Sequence, residues 1–209
     1  MMKFLIADDH AIVRKGLIQL LREEFPALEV TEVSNGNEAL EEVRKKVLDI
    51  ILLDISMPGR NGIETLKQIR AEGFNVPILM LSMHPEAQYA IRALKAGASG
   101  FLNKEGATEE LLIAVHRVLA GRKYISYPVA EKLAGWLGEA ISRSGHERLS
   151  DRELQVLQRI ASGKTVSEIA DEISLSVNTI STYRARILEK LALQNNAELM
   201  RYAFDNGLV

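Results

Sequence analysis

Four apolar runs in the first half of the chain each lead into polar side chains, and this pattern constrains the fold more than any other feature. KFLIA leads into Asp8 and Asp9, DIILL into Asp54, VPILML into Ser82, and GFLN into Lys104. Short β-rich segments near 3–8, 28–34, 49–55, 76–82 and 100–104 alternate with helical periodicity near 10–25, 36–46, 62–72, 86–96 and 108–120. Five strands alternating with five helices predict a doubly wound α/β domain with a parallel sheet. Ile50, Ile51, Leu52 and Leu53 do not alternate with polar residues, as expected of a central strand covered on both faces. In an open parallel sheet, ligands sit outside the carboxyl ends of the strands. The polar residues closing the runs are therefore expected to converge on one pocket.

Three carboxylates, a hydroxyl and an ammonium in one pocket point to a divalent cation and a phosphoryl group. Close carboxylates repel, and one would take up a proton near neutral pH unless a counter-charge were present. A hard cation removes that conflict. Magnesium suits one or two carboxylates, a carbonyl, waters and a phosphate oxygen, and manganese is its substitute. Lys104 is a point charge for a further oxygen and Ser82 a hydroxyl donor. Any one of these residues alone would be read as a turn former or helix cap. His84 is read as an exposed loop histidine, with orientation of a hydrolytic water as its functional alternative. Met57 and Met83 are expected to pack rather than to ligate.

The chain of 209 residues has no cysteine, which excludes disulfides and thiol chemistry and agrees with a reducing cytosol. Its amino end turns acidic too soon for a signal peptide, and no apolar run approaches membrane length, so a cytoplasmic protein without a membrane partner is expected. Fourteen basic against 17 acidic residues in 1–121 leave −3, and 12 against 11 in 122–209 leave +1. That asymmetry alone does not argue for nucleic acid.

Residues 122–147 read as a linker. Within it Val129, Leu133, Trp136, Leu137 and Ile141 recur at helical steps after Pro128, predicting one amphipathic helix. From 148 onward the pattern is helical. Ser150 and Glu153 form a capping box. Val166, Ile169, Ala170 and Ile173 make one short stripe, a turn follows at 174–176, and Ile180, Tyr183, Ile187, Leu188 and Leu191 make a second. Two short helices across a three-residue turn are a helix-turn-helix signature. A last helix near 196–205 turns Leu199, Tyr202 and Ala203 inward. The second helix of the motif presents Ser181, Thr182, Arg184, Ala185 and Arg186 away from its stripe, a set suited to a major groove. Asn178 and Thr179 sit at its amino end, where backbone N–H groups meet phosphate. The few charges on this helix imply weak binding by one copy, hence a dimer on paired half-sites.

Asp8-Asp9, the run Asp54-Ile-Ser-Met-Pro58 with Asn61-Gly62, Ser82, and Phe101 three residues before Lys104 resemble a two-component response-regulator receiver domain, a flavodoxin-like fold, over 1–121. The resemblance implies that Asp54 accepts phosphate from a sensor histidine kinase or phosphotransfer protein. It also implies that Asp9, Asp54 and the Ser56 carbonyl bind magnesium, with Asp8 acting through water. Ser82 and Lys104 would contact the phosphoryl group, and Phe101 would be an aromatic switch. Leu149, Arg152-Glu153, Val156-Leu157, Glu168-Ile169-Ala170, Ser176, Thr179-Ile180 and Lys190-Leu191 resemble the LuxR-type helix-turn-helix over 148–209. The whole is similar to a NarL/FixJ-type response regulator. It implies promoter DNA as partner through Asn178, Thr179, Ser181, Thr182, Tyr183, Arg184, Ala185, Arg186 and Lys190. A homodimer when phosphorylated, and contact with RNA polymerase, are further implications. A phosphatase of the haloacid-dehalogenase type is disfavoured because Ser56 stands where its general-acid aspartate belongs. A protein-docking relay is the other alternative.

Overall fold

The structure is a computed structural model describing residues 1–83, 87–104, 107–126, 129–130 and 145–209. His84 and the expected linker helix with Leu133, Trp136, Leu137 and Ile141 lie outside the described residues. The chain divides into two compact units, Met1–Gly138 and Glu139–Val209.

The first unit runs β1 (Met2–Ala7), α1 (Ala11–Glu24), β2 (Leu28–Val33), α2 (Gly36–Lys45), β3 (Ile50–Asp54), α3 (Gly62–Ala71), β4 (Ile78–Ser82), α4 (Ala87–Lys95), β5 (Gly100–Asn103), α5 (Ala107–Leu119) and β6 (Tyr124–Ile125). The sheet order is β2-β1-β3-β4-β5-β6, and every pair is parallel. Five of these strands match the periodicity. The sixth, β6, is two residues long, too short to produce a period in sequence, and lies within the stretch read as linker.

Alternation along each strand splits the core into two layers. Phe4, Ile6, Ile50, Leu52, Leu79, Leu81 and Leu102 pack under α1 and α5, against Leu17, Ile18, Leu21, Leu111, Val115 and Val118. Leu5, Ile51, Leu53 and Met80 point to the other face and are equally buried. Each such side chain contributes about 1.5–3 kcal/mol through lost water contact. With both faces covered, β3 has no solvent side, which accounts for its unbroken apolar run.

The second unit is helical: α6 (Asp151–Ala161), α7 (Val166–Glu172), α8 (Val177–Leu191) and α9 (Asn196–Asp205). Ser150 and Thr165 cap α6 and α7 with complete capping boxes, and Ser176 caps α8. Ile169, Ile180, Ile187, Leu199 and Ala203 are buried, and the Tyr202 hydroxyl accepts from the His146 backbone N–H at 3.0 Å. Ser174, in the turn between α7 and α8, holds φ +54, a left-handed conformation that reverses the chain within three residues.

Candidate functional site

β1 and β3 lie side by side, with Ala7 opposite Leu53, and the strand order departs from this pair in both directions. A crevice opens at their carboxyl ends. Asp8 and Asp9 leave β1 there and Asp54 ends β3, while Ser82 closes β4 and Lys104 follows β5. The five residues expected to converge do stand on this one edge.

Asp8 and Asp54 are buried, and Lys104 joins them across the mouth of β4, with Nζ 2.6 Å from Asp8 Oδ2 and 2.9 Å from Asp54 Oδ1. Neither contact has hydrogen-bond direction, and Asp54 Oδ2 accepts no hydrogen bond at all. Two buried carboxylates thus share one ammonium. Burial pushes the Asp54 carboxyl from 3.8 up to about 6; Lys104 opposes the shift and Asp8 adds to it. A buried acceptor with no hydrogen bond, in a pocket with more carboxylates than cations, fits a divalent ion.

Local chemistry positions these groups. Asp8 Oδ1 accepts the His10 backbone N–H at 2.8 Å, and Arg14 Nη1 donates to the Asp8 carbonyl at 2.6 Å. Asp9 sits at the rim, its side chain 31% exposed, with the His10 ring 2.8 Å away. Beyond Asp54, Asn61 Oδ1 accepts from Glu64 N at 2.8 Å and Glu64 Oε2 accepts from Asn61 N at 3.2 Å, a capping box that anchors the loop. Gly62 is required there, because a Cβ would lie 2.0 Å from the Asp54 carbonyl oxygen. Ser56 is half-buried, while Ser82 and Phe101 are buried. Met57 packs as expected, whereas Met83 is 50% exposed because it leaves the strand immediately after Ser82.

Sequence reasoning assigned nothing to His10 or Arg14. His10 directly follows the aspartate pair, and that adjacency was its signal. Arg14 lies one helical turn further on and leaves no comparable signal.

On the second unit, α8 exposes one stripe: Val177 and Asn178, then Ser181 and Thr182, then Ala185 and Arg186. The Thr182 hydroxyl donates to the Asn178 carbonyl at 2.9 Å. Thr179, Tyr183 and Arg184 are half-buried. Arg184 Nε donates to Asn196 Oδ1 at 2.5 Å, and Lys190 Nζ is held by Glu153 Oε2 at 2.6 Å. Both cations are engaged within the domain. Arg186 is the cation of this helix with no such contact among the described residues. Val177 went unassigned in sequence because an isolated valine at a helix start carries no pattern.

An acidic, cation-seeking pocket at the switch point of a flavodoxin-like sheet, followed by a capped helix-turn-helix, defines the class: a phosphoacceptor-type domain joined to a DNA-binding-type domain. Residues 4–116 match the response regulator receiver domain, and residues 147–203 match the bacterial regulatory proteins of the luxR family. The chain is 34% identical over 209 residues to the response regulator UvrY of Escherichia coli strain K12, covering 100% of this chain and 96% of that protein. It is 38% identical over 200 residues to the transcriptional regulatory protein UhpA of the same organism, covering 96% of each. Among solved structures it is similar to RcsB from Salmonella enterica serovar Typhimurium bound to promoter rprA in the presence of the phosphomimetic BeF3-. That similarity has a TM-score of 0.63 at 28% identity, covering 97% of this chain and 98% of that one. The chain belongs to the response-regulator family, with a receiver domain and a LuxR-type helix-turn-helix domain, and it is a transcription regulator rather than an enzyme. No described helix is long and apolar enough to cross a membrane.

Proposed function

We propose that Asp54 is the phosphoacceptor, and that its phosphorylation by a sensor histidine kinase or phosphotransfer protein controls dimerisation and promoter binding. The observation that carries this reading is the pairing of Lys104 with both Asp8 and Asp54, beside an Asp54 oxygen that has no hydrogen bond. In the transfer, a carboxylate oxygen of Asp54 bonds to phosphorus in line with the departing imidazole nitrogen. The P–N bond breaks and the imidazole takes up a proton. Such chemistry needs positioning and charge neutralisation, with little covalent assistance from the protein. Lys104 moves from the carboxylates toward a phosphoryl oxygen, and the Ser82 hydroxyl donates to another. Asp9, Asp54 and the Ser56 carbonyl would hold magnesium, or manganese in its place, with Asp8 contributing through water, and the ion would supply neutralisation of the transferring group. Phe101, on the strand beside Ser82, is the switch residue.

The working division is a receiver over 1–121, a connecting segment over 122–147 and a DNA-binding domain over 148–209, with Tyr124–Ile125 completing the receiver sheet. The exposed stripe of α8 enters the major groove of double-stranded promoter DNA, with Asn178, Ser181, Thr182, Ala185 and Arg186 facing it. Thr179, Tyr183, Arg184 and Lys190 flank that stripe. A homodimer supplies the second half-site, RNA polymerase is the downstream partner, and the cytoplasm is the compartment.

The test is incubation of the full chain with acetyl phosphate and magnesium. The native protein gains one phosphoryl group and binds its operator more tightly, while Asp54→Ala does neither. Labelling of Asp54→Ala, or operator affinity that ignores the acyl phosphate, overturns the reading.

A further inference from the structure

We infer that His10 is a ligand of the cation pocket through Nδ1, so that this receiver takes a nitrogen-accepting ion such as Mn2+ more tightly than all-oxygen coordination would. The inference rests on the proposed phosphoacceptor reading and adds a residue to it.

Four side chains bring ligand atoms close to one another at this edge of the sheet. Single ligand atoms from Asp8, Asp9, His10 and Asp54 all lie within 4.8 Å of one another. Ligands about 2.1 Å from an octahedral ion lie about 3.0 Å apart on neighbouring corners and about 4.2 Å apart on opposite ones. His10 Nδ1 is 2.8 Å from Asp9 Oδ1, close to the neighbouring-corner spacing, and 3.3 Å from Asp8 Oδ1, whose carboxylate reaches the ion through water. The buried Asp54 Oδ2, which accepts no hydrogen bond, is an independent observation that suits a cation ligand. Lys104 serves the opposite side of the pocket, on Asp8 Oδ2 and Asp54 Oδ1. The two cationic influences therefore do not compete for the same oxygens.

Backbone constraint fixes where the ring stands. The His10 N–H is bound to Asp8 Oδ1 at 2.8 Å, closing a tight turn directly before α1. The ring turns Nδ1 back over the two aspartates. An ion held between these carboxylates lies within reach of the Nδ1 lone pair. Magnesium keeps to oxygen ligands, whereas Mn2+, a first-row transition ion, also accepts an imidazole nitrogen beside its carboxylates. The consequence is ion selectivity: the ratio of Mn2+ to Mg2+ affinity is set by His10.

The experiment is pulsed electron paramagnetic resonance on the full-length protein loaded with Mn2+, made with natural-abundance histidine and with [15N]histidine. The native protein shows a nitrogen modulation that changes with the label. His10→Gln, with an unchanged circular dichroism spectrum, loses it. Calorimetric titration shows the Mn2+ to Mg2+ affinity ratio falling by about tenfold in the same variant. Asp9→Asn separates the two layers of the argument. If Mn2+ binds natively and is weakened by Asp9→Asn, but no histidine modulation appears, His10 only positions the carboxylates and the inference is overturned while the phosphoacceptor pocket stands. A label-sensitive signal that survives His10→Gln overturns it as well, because another histidine is then the ligand. Native protein that binds no Mn2+ overturns both.

Discussion

Replacing Asp54 by asparagine is expected to stabilise the receiver, by an amount that depends on pH. The unfolded carboxyl titrates near 3.8 and the folded one near about 6. Between those values the folded protein holds a proton that the unfolded chain has released, so stability is lost as pH rises through this window and is level above it. A gap of roughly two pH units corresponds to about 3 kcal/mol. Asparagine keeps the shape of the side chain and cannot ionise. The Asp54→Asn variant should therefore match the native protein near pH 4 and exceed it by about 3 kcal/mol at pH 8, which is on the order of 10 °C in melting temperature for a domain of this size. Scanning calorimetry of the full chain in a chelator at low salt measures this, taking as the receiver transition the one that magnesium moves in the native protein. Added magnesium narrows the difference, because an ion binding only the folded state stabilises the native pocket by mass action. A variant less stable than native at pH 8, or a difference constant from pH 4 to 8, refutes the reasoning.

Lys104→Met leaves Asp8 and Asp54 facing each other without an ammonium; the Asp54 carboxyl should titrate above about 6, seen by carbon NMR of the side-chain carboxyls, and acetyl phosphate labelling should fall at least tenfold. Gly62→Ala drives a methyl group into the Asp54 carbonyl oxygen and should cost about 3 kcal/mol in denaturant melts while slowing phosphorylation. Arg186→Ala should lower the slope of log affinity against log salt by about 1 in operator titrations. Lys190→Ala should leave that slope within half a unit and instead destabilise the helical domain by about 1 kcal/mol, since its ammonium is already spent on Glu153.

Legibility in sequence followed the length over which a physical signal repeats. β3 and β4 are readable because burial on both faces demands unbroken apolar runs, α6 because Ser150 and Glu153 mark its start, and α8 because Ile180, Ile187 and Leu191 repeat at helical steps. The pocket was readable because strand order is dictated by topology, so residues at strand ends must meet. What local pattern does not encode is contact between side chains. That Lys104 divides itself between Asp8 and Asp54 depends on the reach of one side chain past β4. That Lys190 turns to Glu153 depends on the packing of α8 on α6, 37 residues apart in sequence. His10 shows a different limit: its neighbours in sequence are its neighbours in space, but which way the ring faces is decided by the Asp8 turn.

The two-residue strand β6 has a consequence for how this chain can be cut. Its pairing sets Tyr124 beside Gly100 and Ile125 beside Phe101, so the outer flank of β5 has a backbone companion there. Trimming after Gly121 would bare that flank and leave an unsated ribbon inviting a second molecule to lie alongside it. A fragment ending after Ser126 keeps the flank covered. Light scattering of the two fragments should find the shorter one self-associating and the longer one monodisperse, so the receiver's edge is sealed by residues that also begin the tether to its neighbour.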